Sequence, residues 1–263
     1  MTSDDTPLVR TATEHGVATL TLDSPRNRNA LSTPLVTRLR AELAAAATDP
    51  AVRVVVLDHA GPVFCSGADL VETEAACRSG TMPVAMLADL LADLWECPKP
   101  VVARVAGPTR AGGIGLVAAA DLAICATEAT FAFTEVRLGV IPAVISAVVL
   151  PRMGSRAATR LFLTGEVFDA AHAAAVGLVS EAVPATRLDR TVSRICQALV
   201  RGAPQALAGT KQLLRRPRAA DLRAELAELS ALSVGYFRSP DAQEGIAAFR
   251  DKRDPQWVLD TRR

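Results

Sequence analysis

The run Val52-Arg-Val-Val-Val-Leu57 is apolar at nearly every position. A strand with one wet face alternates apolar and polar residues. A strand that does not alternate is buried on both faces, and that requires helices above and below it. Similar runs recur along the chain with helical segments between them. Val17–Leu22 alternates, and Val101–Val105 and Leu122–Cys125 are strand-like. Thr33 followed by Pro34 reads as an N-cap with proline at the first helical position. Leu35, Leu39 and Leu43 then form the apolar face of a helix that ends near Asp49-Pro50. Further helices are expected over Val84–Glu96 and, short and buried, over Ile114–Ala120. Strand alternating with helix implies an α/β core with parallel pairing. From Ala143 onward helices dominate: Arg156–Leu163, Ala170–Val176, Leu188–Arg201 and Pro204–Arg215, interrupted by a strand at Leu178–Val183. Leu222, Leu226, Leu229, Leu232 and Tyr236 repeat at helical spacing in a last long helix. A boundary is placed near residue 200. Residues 1–200 form the core, and residues 201–263 form a helical region too short to bury both faces alone, which therefore packs on the core or on another subunit.

Several function classes are disfavoured by composition. Lys+Arg total 29 and Asp+Glu total 28, which leaves +1, so no global basic field attracts nucleic acid or an anionic membrane. The five cysteines, Cys65, Cys77, Cys97, Cys125 and Cys196, are scattered and never spaced C-x-x-C, which argues against a disulfide framework or a zinc site. His15, His59 and His172 are widely spaced and read as structural. Met1–Arg10 carries Asp4 and Asp5 and no apolar stretch of a signal peptide. Ile141–Leu150 is too short to span a bilayer and contains Pro142 and Ser146. A cytoplasmic protein is expected.

Two loops carry the chemistry. In Phe64-Cys-Ser-Gly-Ala-Asp-Leu70 a glycine precedes a small residue and an acid, directly after a buried strand. A ligand can approach that backbone closely and meet the Ala68 N–H, and Asp69 suits the cap of the helix that follows. Arg110-Ala-Gly-Gly-Ile-Gly-Leu116 lies at a helix N-terminus, where unpaired N–H groups attract negative charge. Two such loops at neighbouring strand ends could aim the N–H groups of Ala68 and Gly112 at one oxygen, the requirement for holding an enolate or a tetrahedral oxyanion. On pattern alone, Gly112-Gly113-x-Gly115 could equally be a close helix–strand contact. A dinucleotide fingerprint would need a different glycine spacing. Gly-x-Ser-x-Gly is absent, so no serine-hydrolase order is supported.

With these motifs the sequence resembles the crotonase (enoyl-CoA hydratase/isomerase) family. The resemblance is carried by Phe64–Leu70, by the glycine loop ending in Ala120-Asp121, and by Phe131-Ala-Phe-Thr-Glu-Val-Arg-Leu-Gly-Val-Ile-Pro142. It extends through Leu161-Phe-Leu-Thr-Gly165, Ala170 to Val179, and Asp241-x-x-Glu-Gly-x-x-Ala-Phe-x-x-Lys-Arg253. It implies a spiral of repeated ββα units with a helical C-terminal region that builds a homotrimer or a dimer of trimers. It implies an acyl-CoA thioester as substrate, with coenzyme A entering as part of that substrate and no separate cofactor or metal. The thioester oxygen would rest between Ala68 and Gly112. Coenzyme A would be bound around Arg26, Arg28 and Ala30, by Ser66, Gly67, Asp69 and Leu70, and by Phe249 and Lys252 of a neighbouring subunit. Composition alone would make Arg26 and Arg28 part of a solvated face.

The resemblance also exposes a departure. Hydratases of this family use two glutamates, one on the helix after the glycine loop and one matched here by Glu135. The first position is Gly115 in this chain. An enoyl-CoA hydratase with Glu135 as acid and base is the leading expectation. An isomerase using that single carboxylate is the second, and an acyl-CoA-binding protein without chemistry the third. Ser146 is a candidate to orient water. The run from Glu135 to Ser146, with the glycine loop, is similar to bacterial hydratases of the methylglutaconyl-CoA type, in which Arg110 would meet a substrate carboxylate.

Overall fold

In the computed structural model, residues 7–79, 84–216, 232, 233, 235 and 239–258 are described. The repeat of Leu222, Leu226, Leu229 and Tyr236 lies outside these residues, as do the side chains of Cys77 and Phe249. The chain begins with strands β1 (Val9–Glu14) and β2 (Val17–Leu22), then helix α1 (Thr33–Thr48), strand β3 (Val54–His59), and helices α2 (Leu70–Ser79) and α3 (Val84–Glu96). Next come β4 (Val101–Val105), the short β5 (Thr109–Arg110), α4 (Gly112–Ala119), β6 (Leu122–Ala126) and β7 (Thr130–Ala132). Then follow α5 (Ala143–Val149), α6 (Ser155–Thr164), β8 (Phe168–Asp169), α7 (Ala170–Ala175), β9 (Glu181–Val183), α8 (Ala185–Val200), α9 (Pro204–Leu214) and a last helix, Pro240–Arg250.

The larger sheet has the order β1-β2-β3-β4-β6-β9. Its first pair is antiparallel and the others are parallel. The absence of alternation in β3 has its reason here. Val55 and Leu57 enter the main core with Leu35, Leu39, Leu90 and Leu94. Val54 and Val56 face a second core with Leu188, Val192, Cys196 and Val200 of α8. A smaller sheet, β5-β7-β8, lies beyond the ends of the larger strands. Isolated bridges extend it, Cys65 to Thr109 and Leu31 to Ala68. Each turn of the chain thus runs from a long strand to a short extended segment to a helix. This is the expected α/β spiral of ββα units.

Three expectations shift. The N-cap of α1 is Ser32, not Thr33, and no side chain of its own loop caps it. Glu72 on α2 does so instead, accepting from the Thr33 N–H at 2.7 Å. The strand expected at Val52–Leu57 starts two residues later, because Val52 N–H closes a turn on Asp49 O. The strand expected at Leu178–Val183 shrinks to Glu181–Val183, since the N–H groups of Leu178 and Val179 both turn back to Ala173 O. β1 and the short β7 and β8 were not foreseen, being too brief or too exposed to give a period.

The region after residue 200 is tied to the core by charge. Asp121, at the start of β6, pairs with Lys211 at 2.5 Å and Arg215 at 2.8 Å, and accepts the Val101 N–H at 2.8 Å. Lys211 also donates to Lys99 O at 2.7 Å. Arg215 and Arg152 each lie 4.8 Å from the Trp95 ring centroid, within cation–π range. Removing the carboxylate leaves the buried Lys211 charge without its counter-ion, a cost of about 3 kcal/mol. Asp121→Ala is therefore expected to lower unfolding stability by about 3 kcal/mol in urea titration. A loss below about 1 kcal/mol, the worth of a surface pair, would show that this knot does not hold α9.

Candidate active site

Four chain segments lie side by side at the ends of β2, β3, β4 and β6. Ser66 N–H donates to Arg28 O at 3.1 Å and Leu31 N–H to Gly67 O at 2.8 Å. Phe64 N–H donates to Pro108 O at 3.1 Å and Arg110 N–H to Cys65 O at 3.0 Å, while Ala111 N–H donates to Ala132 O at 3.1 Å. The two chemistry-bearing loops are thus stitched to each other and to β7.

The contact is close because side chains are missing from it. Gly67 has φ +91, and a Cβ there would lie 2.9 Å from Ala111 Cβ and 3.5 Å from Gly112 N. A Cβ on Gly113 would lie 2.7 Å from Cys65 Cβ. Next to Gly112, the non-glycine Ala111 is held at φ 47, ψ −120. This is a backbone conformation that costs an L-residue about 1–3 kcal/mol. It turns the following peptide so that Gly112 N–H opens α4. A Cβ on Gly112 would come within 3.9 Å of Ala68 N. Among the described residues neither the Ala68 nor the Gly112 N–H has a protein acceptor. Two N–H groups of neighbouring loops, neither with a protein acceptor, therefore lie close together at the α4 N-terminus, and a pair of such donors can stabilise charge developing on a single oxygen. At the other end of α4, Arg152 donates to Ala118 O at 3.1 Å and Ala120 O at 3.0 Å, which satisfies the last carbonyls of the helix.

Glu135 enters from β7. It follows Ala132, the residue bonded to Ala111, by three positions and opens a 3-10 turn, Glu135–Leu138. Its Oε2 is buried without a hydrogen-bond partner. Burial raises its pKa above the usual carboxylate range, opposed in part by a bond from its own backbone N–H. A buried carboxylate oxygen without a partner is costly, and a carboxyl with its pKa raised by burial is a candidate for proton transfer. The Cys65 thiol beside the loops is pushed up to about 12 by burial and is not a nucleophile at neutral pH. Among the described residues no cluster of metal-ligand type is present.

The other expected residues divide into groups. Arg28, Ala30, Ser66, Gly67 and Asp69 are brought together. Ser66 Oγ donates to Asn27 O at 3.3 Å, Ala30 N–H donates to the same oxygen at 3.2 Å, and Asn27 Nδ2 donates to Asp69 at 3.4 Å. Asp69 caps α2 as expected, accepting from Val71 and Glu72 N–H at 3.0 and 3.2 Å. Arg26, Arg28 and Leu70 are exposed. Lys252 belongs to a segment tied to the other end of β3, where Trp257 O accepts from Arg53 at 2.8 Å. The Arg110 guanidinium donates through Nη1 to Thr109 O at 2.9 Å and Thr130 O at 2.7 Å, and through Nη2 to Thr130 Oγ1 at 3.0 Å. The Ser146 hydroxyl donates to Ala143 O at 2.6 Å.

Sequence reasoning missed Asn29. It is fully buried in the left-handed region at φ 52. Its amide donates to Ala60 O and Val63 O at 3.0 and 2.8 Å and accepts from Ser24 N–H at 2.8 Å. It thereby fixes the Gly61–Gly67 loop. The signal was its place in a polar run before an expected helix, which by itself reads only as a turn.

The sequence matches enoyl-CoA hydratase/isomerase over residues 12–259. It is 34% identical over 246 residues to 2,3-dehydroadipyl-CoA hydratase of Escherichia coli, covering 92% of this chain and 94% of that protein. It is 31% identical over 263 residues to enoyl-CoA hydratase domain-containing protein 3, mitochondrial, of Danio rerio, covering 98% and 90%. Among solved structures, an enoyl-CoA hydratase of Mycobacterium smegmatis superposes with TM-score 0.88 at 32% identity, over 97% of this chain and 100% of that one. AtuE of Pseudomonas aeruginosa gives 0.89 at 34%, over 96% and 100%. Among the described residues no helix is long and apolar enough to cross a membrane.

The strain at Ala111 and the close contact at Gly113 make opposite predictions. Ala111→Gly should raise stability by about 1 kcal/mol, the strain relieved less the added chain entropy of glycine. Gly113→Ala should push α4 away from Cys65 and reduce turnover of an enoyl-CoA about 10²–10³-fold, the effect of losing one oxyanion donor. Denaturant titration and steady-state kinetics read the two. Lower stability in the first variant, or wild-type turnover in the second, would contradict the geometry.

Proposed function

We propose that this chain, which belongs to the enoyl-CoA hydratase/isomerase family, is an enoyl-CoA hydratase that runs on one carboxylate. The observation that carries the reading is the buried, unpartnered Oε2 of Glu135, three residues beyond the strand bonded to the oxyanion loop. Ionised Glu135 takes a proton from water. The hydroxide oxygen bonds to Cβ of a 2-enoyl-CoA, and the displaced electron pair moves through Cα onto the thioester oxygen. The Ala68 and Gly112 N–H groups hold that oxygen as an enolate. The electrons then return to Cα, which takes the proton from Glu135 and restores the carboxylate. Coenzyme A enters as the carrier half of the substrate, seated on the Arg26–Ala30 and Ser66–Leu70 loops, and no other cofactor takes part.

One observation favours a second reading. Gly115 offers no carboxylate, and Ile145 fills the space beside it. A single carboxylate suffices to move a proton between Cα and Cγ, so an isomerase would use the same site. Assaying water addition to a 2-enoyl-CoA beside migration of a 3-enoyl-CoA double bond separates the two. The proposal includes a homotrimer or dimer of trimers, supported by the exposed Leu138, Val140, Ile141, Leu163 and Val167, and a place in the cytoplasm.

Glu135→Gln is expected to cut hydration about 10²–10⁴-fold, the usual worth of a general acid–base. Undiminished turnover would sink the assignment. In the wild type, kcat/KM should rise with pH through a midpoint above the usual carboxylate range. The stability consequence has a definite sign. Because folding raises this pKa, the folded chain holds the proton where the unfolded chain has lost it. Stability from this group is fully present below the unfolded pKa and is lost as pH rises through the folded pKa. Glu135→Gln should therefore be more stable than wild type at pH above that window, and the gain should vanish in acid.

A further inference from the structure

We propose that His59 is a positioning residue for the two oxyanion loops: its neutral imidazole joins the loop after β3 to the loop after β4, and the protonated ring releases that joint. The inference rests on the reading of Ala68 and Gly112 as the donors that hold a thioester oxygen. His59 is the last residue of β3 and is 8% exposed. Its Nε2 accepts the Ala106 N–H at 3.1 Å, just past the end of β4. Its ring stands edge-on to Phe64, with centroids 5.4 Å apart and planes at 76°. From there the two loops run side by side. A Cβ on Gly107 would lie 2.1 Å from Pro62 O. Phe64 N–H donates to Pro108 O, and Arg110 N–H to Cys65 O. Those later bonds join backbone to backbone. The first bond of the seam has a side chain as its acceptor, so it depends on what that side chain is and how it is protonated. Ala68 follows Cys65 by three residues and Gly112 follows Arg110 by two, so a shift along the seam reaches both donors.

A ring nitrogen that accepts a hydrogen bond carries no proton, so the neutral imidazole holds its proton on Nδ1. That Nδ1 is buried and forms no well-aligned hydrogen bond, while the Val63 and Ala60 carbonyls act on the ring as weak acceptors. The same two carbonyls accept from Asn29. Imidazolium is a donor at both nitrogens. Protonation therefore sets Nε2–H against the Ala106 N–H and breaks the joint. Burial lowers the His59 pKa below the usual imidazole range; Asp58 opposes that shift and Arg104 adds to it. The charged groups on the elements packed against the ring pair with one another. Arg104 of β4 binds Asp58 of β3 at 2.9 Å and Asp189 of α8 at 2.6 Å. On β2, Leu22 is the partner of His59, and the next residue, Asp23, binds Arg10 of β1. At neutral pH the ring is uncharged and the joint is closed.

The test is infrared difference spectroscopy of bound butyryl-CoA, a saturated thioester that binds but cannot be hydrated, with a ¹³C-labelled thioester carbonyl. Wild type, His59→Gln, His59→Phe and Glu135→Gln are compared. Glutamine keeps an acceptor and does not titrate; phenylalanine keeps a ring against Phe64 and offers no acceptor. At neutral pH the lowered carbonyl band of wild type should persist in His59→Gln and move back toward its position in water in His59→Phe. In acid, at a pH below the usual imidazole range and with far-UV dichroism unchanged, wild type and Glu135→Gln should both lose the lowered band while His59→Gln keeps it. Turnover of a 2-enoyl-CoA should follow. In His59→Phe kcat should fall about tenfold to hundredfold, short of the loss of a whole oxyanion donor, with KM little changed, and His59→Gln should restore most of it. A full band shift in His59→Phe at neutral pH, or the same acid loss in His59→Gln as in wild type, would overturn the proposal. If His59→Phe does not fold, the acid comparison of wild type with His59→Gln decides. If neither variant folds, ¹⁵N-histidine spectra of wild type decide, since a proton on His59 Nε2 at neutral pH contradicts the joint and a bare Nε2 supports it. A wild-type carbonyl band that never shifts refutes the thioester reading and this inference with it, whereas failure of this inference alone leaves the wild-type shift intact.

Discussion

Backbone meets backbone where the loop after β3 touches the loop after β4. Arg110 N–H reaches Cys65 O at 3.0 Å, with the Gly67 and Gly113 Cα atoms facing the partner loop. No larger residue fits on either side, and the free N–H groups of Ala68 and Gly112 can converge only while that contact holds. The parallel sheet supplies the stage. β3 and β4 are buried on both faces and end together, so the two loops emerge as neighbours. Strain is placed at Ala111, in the residue that aims one of the donors, and the surrounding hydrogen bonds keep it there.

The rest of the molecule braces this point from a distance. The 3.0 Å fit between Leu31 and the Gly112 position needs Asn29 to hold the preceding turn. Helix α4 is fixed at its far end by Arg152, whose guanidinium also lies over Trp95. Arg215 of the C-terminal region covers the same ring and pairs with Asp121 just after α4. A chain of ionic and cation–π contacts thus runs from α9 to α4, the helix that Gly112 opens. The region after residue 200 is joined to the proposed oxyanion loop through the far end of one eight-residue helix.

Much of this was legible in the sequence because it depends on period and on small residues. The doubly buried strand at Val54–Leu57 shows itself by failing to alternate. Helices Val84–Glu96 and Ser155–Thr164 show themselves by spacing and by the breakers beside them. Gly67 and Gly112 mark the loops because only small residues allow such an approach. What stayed hidden depends on contacts between distant segments. Nothing near Thr33 announces that Glu72 caps it. Nothing beside Arg110 shows that Thr130, brought over by β5–β7 pairing, takes its guanidinium. Gly115 reads in sequence as a missing carboxylate. Only the fold places Ile145 against that glycine.

The proposed chemistry depends on two N–H groups polarising one thioester oxygen before any proton moves. Isotope-edited infrared difference spectroscopy of a bound acyl-CoA carrying a ¹³C-labelled thioester carbonyl reads this directly. The predicted result is a carbonyl band shifted to lower frequency on binding, with the shift diminished in Gly113→Ala and retained in Glu135→Gln. A bound thioester whose carbonyl band stays at its position in water would contradict it.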